Sequence, residues 1–184
     1  HHLRNTGFCK CGLPLTRLGF RIWPVSRFLL EVLMDFGDLG TVLELGAGTG
    51  VLGLSLLQAR AAERVVLTDS DKLCVRLLRA NARLVAGETF TGRASAATLS
   101  FGEVLQQDFD TVVASEVLYD GEALDKPGQL LSTASSALCA RGGRMFLGYQ
   151  ERHPVITQAL LEAAAERELA VRSICAQAVP GAWR

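Results

Sequence analysis

Leu43-Glu44-Leu45-Gly46-Ala47-Gly48-Thr49-Gly50-Val51-Leu52-Gly53 is the stretch on which the reading of this chain turns. It follows an apolar run at residues 41–45 and opens a segment, 51–61, whose apolar residues recur at helical spacing. Glycines at such a junction permit positive φ and let a ligand approach the backbone where a Cβ would block it. The helix that follows presents unpaired N–H groups at its first turn. Strand, glycine turn and helix in that order form the geometry a nucleotide-type cofactor needs.

Working outward, the same alternation repeats. Short apolar runs at 41–45, 64–68, 110–114 and 144–149 read as buried parallel strands. Residues 51–61, 71–85, 127–140 and 154–167 carry three-to-four-residue apolar spacing and read as crossover helices. Ser70-Asp71, Gly142-Gly143 and Pro154 supply helix punctuation. A helix is expected over 26–36, a third strand ahead of Leu99, and a further strand over 169–178. The expected fold is therefore α/β, a Rossmann-like, mostly parallel sheet with helices on both faces. Residues 1–25, with Gly7, Gly12, Pro14 and Gly19, read as an N-terminal hairpin or arm, and 26–184 as the cofactor-binding domain.

Composition bounds the function. At 184 residues the chain fits one domain and leaves no room for the catalytic half of a dehydrogenase or for a kinase. Hydrophobic residues make up 49%, and mean hydropathy is +0.24, which excludes disorder. Lys+Arg and Asp+Glu each number 19, so the basic excess of a dedicated nucleic-acid binder is missing. Apolar runs are too short for a membrane span, and no secretory leader is expected. The odd, scattered set Cys9, Cys11, Cys74, Cys139 and Cys175 points to a reducing compartment, the cytoplasm first and the nucleus as the alternative. No metal is expected, since Cys9-x-Cys11 is one pair and His153 stands alone once His1-His2 is set aside as a tag remnant.

Gly48-x-Gly50-x-x-Gly53 fits the dinucleotide fingerprint, while Gly46-x-Gly48-x-Gly50 fits a second reading. Asp69, 19 residues beyond Gly50, can take ribose hydroxyls in either. Glu44 separates them: a carboxylate there repels a pyrophosphate and favours the sulfonium and ammonium of S-adenosylmethionine.

With those residues in place, the chain resembles the class I, seven-β-strand methyltransferases, and more narrowly the protein lysine methyltransferases of methyltransferase family 16. Four pieces carry the narrower likeness: Gly19-Phe20-Arg21-Ile22-Trp23-Pro24, the run Glu44–Gly50, Leu99-Ser100-Phe101-Gly102, and Phe109-Asp110 leading to Ser115-Glu116-Val117-Leu118-Tyr119. The likeness spans about residues 19–152. It implies that Trp23 and Gly46 contact the cofactor, that Phe101 lies at the adenine in place of the commoner tryptophan, and that Ser115 lies beneath the cofactor. It also implies that Glu116-x-x-Tyr119 ends the fourth strand beside the transferred methyl. These enzymes close the sheet with a reversed hairpin, for which 180–184 is short.

The residues supply a chemistry. Methyl transfer from a sulfonium needs an aligned, neutral, desolvated acceptor. Tyr119 and Tyr149 are expected at strand ends, as an aromatic wall around a lysine stem, with Glu116 anchoring the ammonium or accepting its proton. Residues 103–125 hold seven acids and no Lys or Arg, an expected rim that steers a basic protein segment. Residues 1–30 carry only basic charge, and Arg152 is placed to order the loop near Tyr149. The expectation is a monomeric methyltransferase that modifies an accessible lysine of another protein. Its alternatives are a small-molecule, nucleic-acid or other protein acceptor, or a non-catalytic binding subunit.

Overall fold

A computed structural model describes residues 18–87, 92–121, 123–140 and 142–174. A single 3-10 turn, Leu18–Phe20, precedes α1 (Pro24–Asp35), β1 (Thr41–Leu45), α2 (Val51–Gln58), β2 (Arg64–Asp69), α3 (Lys72–Ala86) and β3 (Ala94–Thr98). Then follow β4 (Thr111–Ser115), α4 (Lys126–Ala137), β5 (Arg144–Gly148) and α5 (Pro154–Ala165). The five strands pair in parallel in the order β3-β2-β1-β4-β5. Chain direction across the sheet therefore reverses between β1 and β4, and a crevice opens beyond the carboxyl ends of the strands at such a switch.

Alternation along β1 sorts the two layers. Val42 packs with Leu33 of α1, Leu56 and Leu57 of α2 and Leu78 of α3, all with no exposed surface. Leu43 and Leu45 turn to the opposite face, where Leu130, Ala134 and Ala137 of α4 and Ile156 of α5 cover them. Each fully buried leucine contributes about 2 kcal/mol through its removal from water. Glu44 shares the face of Val42, so the strand pleat aims it at the start of α2.

Element ends move for physical reasons. α2 stops at Gln58, short of the expected 61, because Arg60 adopts a positive φ of 60° and Ala61 N–H donates back to Leu56 O at 3.0 Å. α4 ends at Ala137, ahead of Gly142-Gly143, because Leu138 bridges to Phe109 and leaves helical geometry. β4 starts after Asp110, whose carboxylate is drawn off the ladder to Thr41. The strand expected over 169–178 is not formed by its described part, 169–174; Leu169 instead packs near Leu131, Ala163 and Ala164. Residues 1–17, with Cys9 and Cys11, and residues 175–184 lie outside the described residues, as do most of the N-terminal hairpin and the closing strand.

Candidate active site

Gly46, Gly48 and Gly50 all have positive φ, 66°, 54° and 78°, so the loop leaving β1 curls tightly beneath the first turn of α2. Gly48 has a second constraint: a Cβ there would stand 2.6 Å from Gly19 O, so the segment before α1 closes directly over the loop. Asp69, at the end of β2, fastens the same loop. Its Oδ2 accepts from Gly48 N–H at 3.0 Å and its Oδ1 from Asp71 N–H at 2.9 Å. Asp71 in turn caps α3 by accepting from Leu73 N–H.

These segments surround a cleft of about 550 Å³ at the carboxyl ends of the strands, within the range of small-molecule sites. Trp23, Glu44, Gly46, Gly48, Asp69, Phe101, Ser115, Glu116 and Tyr119 all line it, which brings together nine of the residues singled out in the sequence. Gly50 does not line it; a Cβ at this position would meet Leu78 at 2.7 Å, so the glycine serves the packing of α2 on α3. Tyr149 does not line it either. Its hydroxyl donates to Thr157 Oγ1 at 2.9 Å and the ring lies toward α5, which corrects its expected place in a substrate wall.

Glu44 has a different part from the one its charge suggested. It is 3% exposed, and its Oε2 accepts from Gly53 N–H at 2.9 Å. The residue capping α2, Gly50, has no side chain to offer, so Glu44 reaches from the strand to satisfy an otherwise unpaired first-turn N–H. Burial pushes its carboxyl up to about 8, against the Gly53 bond and with the Asp69 charge adding to the rise. Gly53 belongs to the same device: a Cβ would lie 2.6 Å from Glu44 Oε2 and from Leu67 Cδ2.

The turn after β4 closes the other end of the cleft. Ser26 Oγ donates to Ser115 Oγ at 3.0 Å, tying α1 to the strand end. Glu116 then takes a positive φ of 56° and is 6% exposed. Its Oε1 accepts from Gln150 N–H at 2.6 Å, and its Oε2 pairs with Arg152 Nη2 at 2.5 Å. Glu116 is thereby tied to the loop after β5 while it lines the cleft. Arg152 orders that loop as expected, and it also stacks on Trp23, 5.7 Å from the ring, while Arg21 lies 5.8 Å away. Tyr119, 43% exposed, presents its ring to the cleft with Lys126 Nζ 5.2 Å from its centroid.

The acidic run divides among different places. Asp110 sits at the opposite, amino-terminal edge of the sheet, where Thr41 N–H and Oγ1–H hold its carboxyl below the ordinary value. Glu103 accepts from Ser100 N–H and Asp125 from Gln129 Nε2. Glu122 lies outside the described residues. Among the described residues, Asp110 is therefore removed from the rim expected over 103–125.

Lining residues that the sequence did not reveal include Gly19, Arg21, Ser26, Cys74, Lys126 and Gln129. Cys74 had the pattern of a core residue, which it also is, at 1% exposure. Lys126 directly follows an acidic run and carried no other mark. No group of three or more potential metal ligands occurs among the described residues, and no described helix is long and apolar enough to cross a membrane.

Comparison with known proteins agrees with this geometry. The family model described as lysine methyltransferase matches residues 18–162. EEF1A lysine methyltransferase 3 of Mus musculus is 30% identical over 164 residues, 80% of this chain and 66% of that protein. Ribosomal RNA large subunit methyltransferase G of Alcanivorax borkumensis is 30% identical over 135 residues, 68% of this chain and 34% of that protein. The chain thus spans less than two thirds of the length of either relative. Among solved structures, the glycopeptide N-methyltransferase MtfA complexed with S-adenosyl-L-methionine shares the fold at a TM-score of 0.55 and 23% identity, over 66% of this chain and 53% of that one. With the parallel sheet, the glycine cleft and the match over residues 18–162 in agreement, this chain belongs to the lysine methyltransferase family.

Proposed function

We propose that the chain binds S-adenosylmethionine in this cleft and transfers its methyl group to the side-chain amine of a lysine on another protein. The observation that carries the reading is one continuous cleft whose two ends differ in chemistry. Asp69, the Gly46–Gly50 loop and Phe101 form one end, while Ser115, Trp23 and Tyr119 form the other. A ribose fits the first end, because each Asp69 oxygen accepts one backbone bond and retains a further lone pair. An adenine fits beside it against the Phe101 ring.

When bound, the cofactor supplies a methyl group activated on a sulfonium. The protein's part is to align, dehydrate and hold. Tyr119 offers an aromatic face to the alkyl stem of a lysine, and removal of that amine from water favours its neutral, nucleophilic form. An acceptor amine held there would lie in line with the activated methyl group, and its surplus proton would pass to solvent. Glu116, locked to Gln150 and Arg152, holds the turn that presents Tyr119 and is read here as a positioning residue. Membership in the lysine methyltransferase family and the likeness to EEF1A lysine methyltransferase 3 of Mus musculus support the choice of acceptor. A cytoplasmic, monomeric enzyme belongs to the same reading.

The test is incubation of the purified protein with methyl-labelled cofactor and cell lysate, beside Asp69→Ala and Tyr119→Ala. A discrete protein band that yields methyl-lysine on hydrolysis is expected for the wild type. Asp69→Ala should weaken cofactor binding about tenfold or more, while Tyr119→Ala retains binding and loses turnover. Label in RNA or small molecules alone overturns the acceptor; equal loss of cofactor binding in both variants overturns the division of the cleft.

A further inference from the structure

Helix α3 carries Lys72, Arg76, Arg79 and Arg83 and no acidic residue in its 15 positions. Their spacing of four, three and four residues puts them on one face, a stripe about 16 Å long at 1.5 Å per residue. All four are exposed, and Arg93, just ahead of β3, is exposed beside them. None of the five makes an ion pair among the described residues. Like charges at these spacings repel, and among the described residues no acid pairs with these five to relieve that repulsion. In a chain with no net charge, this is a local concentration of cations.

The stripe borders an open sheet edge. Among the described residues β3 pairs with β2 alone, and Val65 N–H donates to Arg93 O, which turns the peptide groups of Arg93, Ser95 and Ala97 inward and those of Ala94, Ala96 and Thr98 outward. Arg79 Nε reaches over this edge to Ala96 O at 3.3 Å. Between helix and strand runs a shallow groove of about 290 Å³, floored by Ala94, Ser95 and Ala96 and flanked by Arg79 and Arg83. Small side chains let another backbone come close, and guanidinium forks stand where carboxylates would meet them.

We propose that this α3–β3 edge is a docking surface for an extended, acidic segment of a partner protein, whose carboxylates pair with Arg76, Arg83 and Arg93 while its backbone lies along β3. A peptide strand matches the outward peptide groups of β3, which a nucleic acid cannot do in register. Among the described residues no aromatic side chain lines the groove to stack a base, as single-stranded nucleic-acid sites require. Lys72 follows Asp71, a lining residue of the cofactor cleft, so a protein lying along the stripe reaches the rim of that cleft. The surface is argued from charge and edge geometry alone and stands whatever the acceptor of the methyl group proves to be.

Fluorescence anisotropy with a labelled decapeptide of alternating Glu and Thr tests it, with the Gln-Thr decapeptide and single-stranded oligouridine as comparisons. Binding of the acidic peptide is expected to weaken about tenfold or more in Arg76→Gln/Arg83→Gln/Arg93→Gln, which leaves the Arg79 bond to β3 in place. It should be retained in Arg60→Gln/Arg144→Gln and largely restored when the same three positions carry Lys. Hydrogen exchange should show the peptide protecting Ala94–Thr98. An unaltered melting temperature in the triple Gln variant confirms that the fold survives, and the Lys variant decides the matter if it does not. No binding by the wild type, equal binding by the triple Gln variant, or oligouridine binding more tightly through the same three arginines overturns the proposal.

Discussion

Glu44 shows how a residue of the cleft can be picked out from sequence while its local partner cannot. Its position before the glycines was legible, but its burial and its bond to Gly53 were not, because both depend on which side of the strand faces α2. The raised carboxyl pKa has a consequence for stability. The folded chain retains a proton that the unfolded chain loses above the ordinary value of 4.5, so the contribution is complete below that pH and is lost as pH rises toward about 8. Glu44→Gln keeps a neutral acceptor for Gly53 N–H and removes this titration. Urea unfolding of the two proteins should show the variant gaining on the wild type between pH 5 and pH 8, by at most about 4 kcal/mol at about 1.4 kcal/mol per unit. Parallel stability curves would show that Glu44 is already ionised. Gly53→Ala tests the same contact sterically, since its new Cβ would press on both Glu44 and Leu67. A loss of about 1–3 kcal/mol is expected, read from the denaturation midpoint.

At the scale of elements, β1 and its glycine loop were readable because the strand is buried on both sides and alternates with amphipathic helices. β3 was only inferred, and its residues explain why: Ala-Ser-Ala-Ala-Thr is half exposed at the sheet edge, so it carries no hydrophobic run. Proximity in sequence misled in the acidic segment. A five-residue strand is about 17 Å long, which separates Asp110 from Glu116 by the full depth of the sheet. Tyr149 was expected at the cleft because it follows the carboxyl end of a strand, but its bond to Thr157 of α5 has no signature in local spacing. The link between the β4 and β5 ends rests on Glu116 and Arg152. Arg152→Ala leaves a buried carboxylate with Gln150 N–H as its remaining donor among the described residues, and a loss of about 2 kcal/mol is expected, below the value for a fully buried pair because Arg152 is 32% exposed. Glu116→Gln should cost less, since a neutral amide strands no charge. Chemical denaturation of both variants checks the order, and the reverse order would remove the ion pair as the organising contact.

Across the whole molecule, the cleft gathers segments that are distant in sequence: the approach to α1, the β1 loop, the end of β2, the turn after β3 and the turn after β4. They meet because parallel strands bring their carboxyl ends to one edge, and because the strand order reverses between β1 and β4. A ligand held by all of them binds only the assembled sheet, so its binding free energy adds to global stability and is not confined to one loop. At a concentration one hundred times the dissociation constant that linkage amounts to about 2.7 kcal/mol, and a domain of this size gains about 2–4 °C per kcal/mol. S-adenosylmethionine should therefore raise the melting temperature by about 5–10 °C under those conditions, and the rise should shrink sharply at the same concentration in Asp69→Ala. NAD should leave the melting temperature unchanged, because Gly50, the glycine of the overlapping dinucleotide pattern that a pyrophosphate would approach, faces Leu78 and does not line the cleft. A shift produced by NAD and not by S-adenosylmethionine would reassign the cleft while leaving the fold intact.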